Sequence, residues 1–153
     1  MKGEFNEIVG KFPGWLDRLQ KSPSFSRDQL QNVPDQGIYV FYSEKDQPLY
    51  VGRSDRMKTR LLEHSRPSSG HTSATFAFIL AKEIWDKSHP NDTRTRREQE
   101  SDIDFLSLYT KKKNEVATMQ VRVIGITDPV EQALFEIYAS LELETPYNVW
   151  DNH

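Results

Sequence analysis

The sequence predicts an α+β fold, a small three-stranded antiparallel sheet flanked by helices. Two runs, residues 38–42 and 49–51, are rich in β-branched and aromatic side chains and are separated by the polar stretch SEKDQP, which signals a hairpin. A third run, ATMQVRVIGITD, alternates Met119, Val121 and Val123 with polar residues. The remaining apolar residues fall mainly in helix-length segments, so helices packed on a sheet are the economical arrangement.

The elements follow in order. Phe5, Ile8, Val9, Phe12, Trp15, Leu16 and Leu19 recur at helical spacing, and Gly10 and Pro13 interrupt them, which predicts one broken helix or two short ones. Residues 21–36 hold Ser, Pro, Asn and Asp and read as a connection. After the hairpin, residues 55–65 read as a helix with Ser54 as its N-cap. The segment ATFAFILAKEIWDK is the most apolar and reads as a buried helix, and TRTRREQESDIDFLSLYTKKKN as one long charged helix. After the third strand, PVEQALFEIYASLELE forms a helix with Pro129 in its first turn. Its apolar stripe is expected through Val130, Ala133, Leu134, Ile137 and Leu141.

Length and composition narrow the function. A chain of 153 residues with 36% hydrophobic and 28% charged content suits one soluble domain. No window of about 18 apolar residues exists, so no membrane partner is expected. The N-terminal segment lacks a signal-peptide core. The absence of cysteine excludes disulfides, thiol catalysis and cysteine-bound zinc, and fits a cytoplasmic location. The four histidines have no metal-ligand spacing. A net charge of −3 disfavours nucleic-acid binding through the whole surface. Positive charge concentrates locally, since Arg53, Arg56, Lys58, Arg60 and Arg66 outweigh Asp55 and Glu63.

Several residues are chemically suggestive. If residues 43–48 form the hairpin loop, Tyr42 faces Leu49 and Phe41 faces Tyr50, which makes Tyr39 and Tyr50 diagonal neighbours on one face. Taken alone, both read as half-buried strand aromatics. Arg60 and His64 share a helix face beside Met57 and Leu61, where an arginine seeks a carboxylate or phosphate, or forms an ion pair at the edge of the packing. Glu131 and Glu136 flank the final helix's expected stripe, and the helical wheel does not choose between them. The RTRREQE run reads as a solvated face with opposite charges interleaved.

These features occur in an order that resembles the GIY-YIG nuclease family. GIY at 37–39 and YVG at 50–52 resemble its two signature strands. YVGRSDRMKTRLLEH is similar to its second strand and arginine helix, with Arg60 ten residues after Tyr50. EQALFEIYASLELETPYN is similar to its glutamate helix and terminal asparagine, with Asn148 twelve residues after Glu136, a spacing that selects Glu136 over Glu131. The resemblance covers roughly residues 35–150, after a helical extension at 1–34 and with a helical insertion at about 67–115. One departure is Arg53, where the family often has lysine.

The resemblance implies an endonuclease that hydrolyses phosphodiester bonds in DNA with Mg²⁺ or Mn²⁺. Glu136 is then the metal ligand, Gly52, Arg53, Arg56 and Arg60 meet the substrate, and Arg60 neutralises the phosphate in the transition state. Tyr39 or Tyr50 activates or orients water, with Tyr39 the favoured base, and Arg53 supplies the positive charge a tyrosine base needs. His64 assists proton transfer or binds phosphate, and Asn148 fixes Glu136 or the tail. The competing expectations are a nucleic-acid-binding module that does not cleave, and a protein-interaction domain. The sequence sets neither oligomeric state nor DNA structure.

Overall fold

The structure, a computed structural model, describes residues 2–150. The chain divides into two compact units, one formed by residues up to Lys58 together with Met119 onward, the other by Thr59–Thr118. No helix among the described residues is long and apolar enough to cross a membrane.

The first unit is α+β. Helices α1 (Lys2–Gly10) and α2 (Phe12–Lys21) precede strands β1 (Gly37–Tyr42) and β2 (Pro48–Ser54), and β3 (Gln120–Gly125) and α7 (Pro129–Glu142) follow the second unit. The strands form one antiparallel sheet in the order β2-β1-β3. This is the expected sheet, with β1 central and buried along its whole length. A helix that breaks at Lys11, with Pro13 in the first turn of α2, satisfies the sequence pattern. In the connection before β1, Phe25 exchanges two backbone hydrogen bonds of 2.8 Å with Val121, which adds a residue to the outer side of β3.

Side-chain alternation sorts the two faces of this sheet. Ile38, Val40 and Tyr42 of β1 join Val51, Ile124, Phe12, Leu19, Phe135 and Ala139 in one core, so α1, α2 and α7 cover that face. Phe135 is its centre, with ring centroids 5.3 Å from Phe12 and 5.6 Å from Trp15. Tyr39 and Phe41 occupy the opposite face, their rings edge-to-face at 5.8 Å.

The expected stripe of α7 is corrected here. Val130, Ile137 and Leu141 are exposed, and the buried residues are Gln132, Phe135, Ala139 and Ser140. Phe135 gains more from burial than any single aliphatic residue on the other stripe, and it sets the rotation of the helix. The helix begins as expected. Pro129 opens it, and Asp128 caps it by accepting from the N–H groups of Val130 (2.9 Å) and Glu131 (3.0 Å).

The second unit is helical. Helix α3 (Met57–Glu63) leads into it, and α4 (Thr75–Ser88), α5 (Arg96–Glu100) and α6 (Ile103–Ala117) form it. Phe78 packs against Phe105 and Tyr109, with centroids 5.1 and 5.4 Å apart. The long charged helix expected here is two helices. Asp102 accepts from the N–H groups of Asp104 (2.9 Å) and Phe105 (3.3 Å), and so starts a new helix where a single one had been expected.

Candidate active site around β2

Strand β2 lies at the edge of the sheet, and chain segments far apart in sequence converge on it. Its register with β1 pairs Phe41 with Tyr50, Tyr39 with Gly52 and Ile38 with Arg53. Tyr39 and Tyr50 are therefore diagonal neighbours on one face, as expected. The turn end differs from expectation. Tyr42 pairs with Pro48, and a bulge leaves Leu49 as the extra residue. Ser43 closes a tighter loop than the expected one, donating its N–H to the Gln47 carbonyl at 2.9 Å. Asp46 takes the left-handed conformation there (φ 59°), which aspartate tolerates.

Tyr39 is 1% exposed and Tyr50 is half-buried. The Tyr39 ring lies directly across Gly52, so a Cβ at residue 52 would overlap its Cζ and Oη. Gly37 is required for a second reason. Its φ of 155° and its approach to the Ile124 carbonyl leave no room for a side chain. Gly37 and Gly52 thus let the sheet close.

Arg53 points to the α7 side of the sheet, the opposite face from the tyrosines, because successive side chains alternate. Its Nε lies 3.6 Å from Glu136 Oε1, with side-chain exposures of 47% for the arginine and 18% for the glutamate. Burial pushes the Glu136 carboxyl above its ordinary pKa, and the charge of Arg53 opposes that rise. Glu131 stands elsewhere on α7, paired with Lys11 at 3.5 Å.

Asn148 is held against the outer edge of β2. Its Oδ1 accepts from Val51 N–H at 2.8 Å, and its Nδ2 donates to the Val51 carbonyl at 2.8 Å. The Thr145 hydroxyl donates to the same Oδ1 at 2.7 Å, and Tyr147 N–H donates to the Leu49 carbonyl at 3.3 Å. One side-chain amide thus does the work of a paired strand residue and covers part of a bare sheet edge.

Arg56 borders an open cleft of ≈ 690 Å³ lined also by Pro34, Asp35, Gln36, Asp55, Gly125 and Thr127. Ser54 accepts from Arg56 N–H at 2.9 Å, so the serine turns the chain toward α3.

Arg60 and His64 belong to the second unit. Arg60 Nη1 donates to the Ser73 carbonyl at 2.6 Å and lies 3.4 Å from Glu63 Oε2, which ties α3 to the loop before α4. His64 is fully buried, and that burial, with Arg60 beside it, holds its pKa well below the ordinary imidazole value. Its ring is neutral near pH 7. In the RTRREQE region Arg94 pairs with Asp92 (2.8 Å) and Asp102 (3.0 Å), Arg96 lies over the Phe78 ring at 5.3 Å, and Gln99 is buried, so the run is only in part the solvated face expected.

Among the described residues no group of three or more His, Cys, Asp or Glu side chains could enclose a metal ion. A single half-buried carboxylate fits a hard divalent cation that keeps several waters and takes phosphate oxygens as further ligands. Glu136 is such a carboxylate. Trp150, which sequence reasoning passed over, donates its indole N–H to Ser140 Oγ at 3.2 Å, one helical turn from Glu136. The chain matches no protein-family model, no curated protein and no solved structure.

Proposed function

We propose that the protein is a metal-dependent endonuclease of the GIY-YIG kind, hydrolysing phosphodiester bonds in DNA. One observation carries this reading: Glu136 from α7 and Asn148 from the tail, far apart in sequence from β2, both reach that strand, which carries the exposed Arg53. Packing alone does not call for an exposed arginine beside a half-buried glutamate, and carrying that carboxylate away from water lowers stability.

In this reading the phosphate meets the chain at the exposed edge of β2. Arg53 neutralises its charge there, with paired donors suited to phosphate oxygens. Glu136 would hold Mg²⁺ or Mn²⁺, which when bound stabilises charge on the phosphate and the leaving oxygen. Tyr50 points to the opposite face of the sheet from Arg53 and Glu136 and takes no part in orienting the attacking water, which the metal, when bound, would supply and activate. Tyr39 lies too deep for that role and instead holds Gly52 flat. Asn148 positions β2 and therefore Arg53. His64, fully buried and neutral, carries no step.

A second reading, nucleic-acid binding without cleavage, is favoured by the Arg53–Glu136 pair itself, since Arg53 already provides the counter-charge a metal would supply. Linear, branched and single-stranded DNA incubated with Mg²⁺ or Mn²⁺ separates the two. The nuclease gives a metal-dependent product, reduced at least about 100-fold in Glu136→Ala, as for loss of a group that stabilises transition-state charge. Identical traces for the two proteins on every substrate sink the enzyme reading.

A further inference from the structure

The end of α7 and the tail after it form a small site that the chemistry above does not use. Trp150 is 49% exposed, and the bond from its indole N–H to Ser140 Oγ fixes the ring's orientation. Ser140 Oγ is itself anchored, donating to the Ile137 carbonyl at 2.8 Å. The tail is clamped two residues earlier by Asn148 on Val51. The indole is therefore a positioned surface, with an open face beside a pocket of ≈ 300 Å³.

That pocket is lined by Ser140, Leu141, Glu144, Thr145, Asn148 and Trp150. Glu144 holds a left-handed conformation (φ 53°) where helices commonly place glycine. A residue with a Cβ is uncommon in that conformation. The pocket's chemistry selects its occupant. The C-terminal end of α7 carries partial negative charge and Glu144 adds a full one, so a phosphate is repelled. The lining mixes apolar surface, from Leu141 and the indole, with polar atoms of Ser140, Glu144, Thr145 and Asn148. A flat, uncharged ring with polar edges meets both, whereas an aliphatic side chain would leave the polar atoms unmet.

We infer that Trp150 and this pocket hold an unstacked nucleobase adjacent to the phosphate at Glu136. The inference rests on the nuclease reading. Ser140 follows Glu136 by four residues, about 6 Å along the helix, a spacing that suits a phosphate and the base next to it. The site therefore favours single-stranded, gapped or frayed DNA over an intact duplex, because only those offer an unstacked base.

The test uses the full chain in EDTA, so that no cleavage occurs, with a single-stranded 12-mer and the matching blunt duplex as probes. Stacking of one base is worth roughly 1–3 kcal/mol, so Trp150→Ala should weaken single-strand binding roughly 5- to 150-fold. Duplex binding should change less than about two-fold and Trp150→Phe should retain most of the affinity, because stacking needs only a flat ring. Single-strand binding that ignores Trp150→Ala overturns the site and leaves the nuclease reading standing. Equal losses on both probes, or a wild-type dimer that Trp150→Ala dissociates in sedimentation, also overturn it. A wild-type protein that binds neither probe and cuts no DNA overturns the nuclease reading, and this site with it.

Discussion

Glu136 sits on the buried side of α7 with its carboxyl partly withdrawn from water, and Arg53 compensates that only in part. The sign of its effect on stability follows from its raised pKa. The folded state holds the proton more tightly than the unfolded chain. Below the ordinary glutamate value, near pH 4, the group is neutral in both states and costs nothing. As pH climbs from there through the raised value, the folded state loses stability, and the loss is complete above it. Glu136→Gln should therefore be more stable than wild type at pH 7, by about 1 kcal/mol, the usual scale for relieving a functional site of its burden. The gain should vanish below about pH 4. Urea denaturation at the two pH values checks this. If glutamine proves less stable at pH 7, Arg53 outweighs burial and the group is a structural ion pair.

At the scale of elements, the tail behaves as a fourth strand reduced to one side chain. Asn148→Ala removes both bonds to Val51 and the bond from Thr145. At about 1 kcal/mol each the loss is about 2–3 kcal/mol. Asn148→Asp keeps the acceptor for Val51 N–H but sets a carboxylate oxygen against the Val51 carbonyl, so it should cost at least as much stability, while hydrogen exchange at Val51 N–H should rise less than in the alanine variant. Equal exchange in the two variants would show that the clamp is not what holds the edge. The sequence announces such elements unevenly. The hairpin and β3 were legible because strand alternation is a local property, and the pairing of Phe41 with Tyr50 followed from loop length. The bulge at Leu49 was not legible, because it answers to Tyr147, distant in sequence. The rotation of α7 was misjudged for a similar reason. Val130, Ile137 and Leu141 make a clean stripe, yet Phe135 meets Phe12 and Trp15, and those partners lie more than a hundred residues earlier. Glu136 and Asn148 were singled out through spacing and motif, whereas Trp150 gave no signal beyond being an aromatic in a polar tail.

The whole molecule carries a net charge of −3, so its long-range field repels DNA, and the proposed DNA binding requires a few local contacts. The cations on β2 and in the four residues after it are Arg53, Arg56 and Lys58. Duplex binding through two or three phosphates gives a slope of log K against log salt of about −2 to −3, since each neutralised phosphate contributes about −0.9. A protein that coats DNA electrostatically shows a far steeper dependence. The balance of forces also predicts how variants sort. Arg53→Ala should flatten the slope by about one unit whatever the sequence, because it deletes a phosphate contact. Trp150→Ala should leave the slope unchanged while weakening single-strand binding, because stacking releases no counterions. Titrations at several salt concentrations with both variants measure this directly. A wild-type slope steeper than about −5 would mean that more cations reach the backbone than β2 and the turn after it provide, and the binding face would then have to be sought away from that strand.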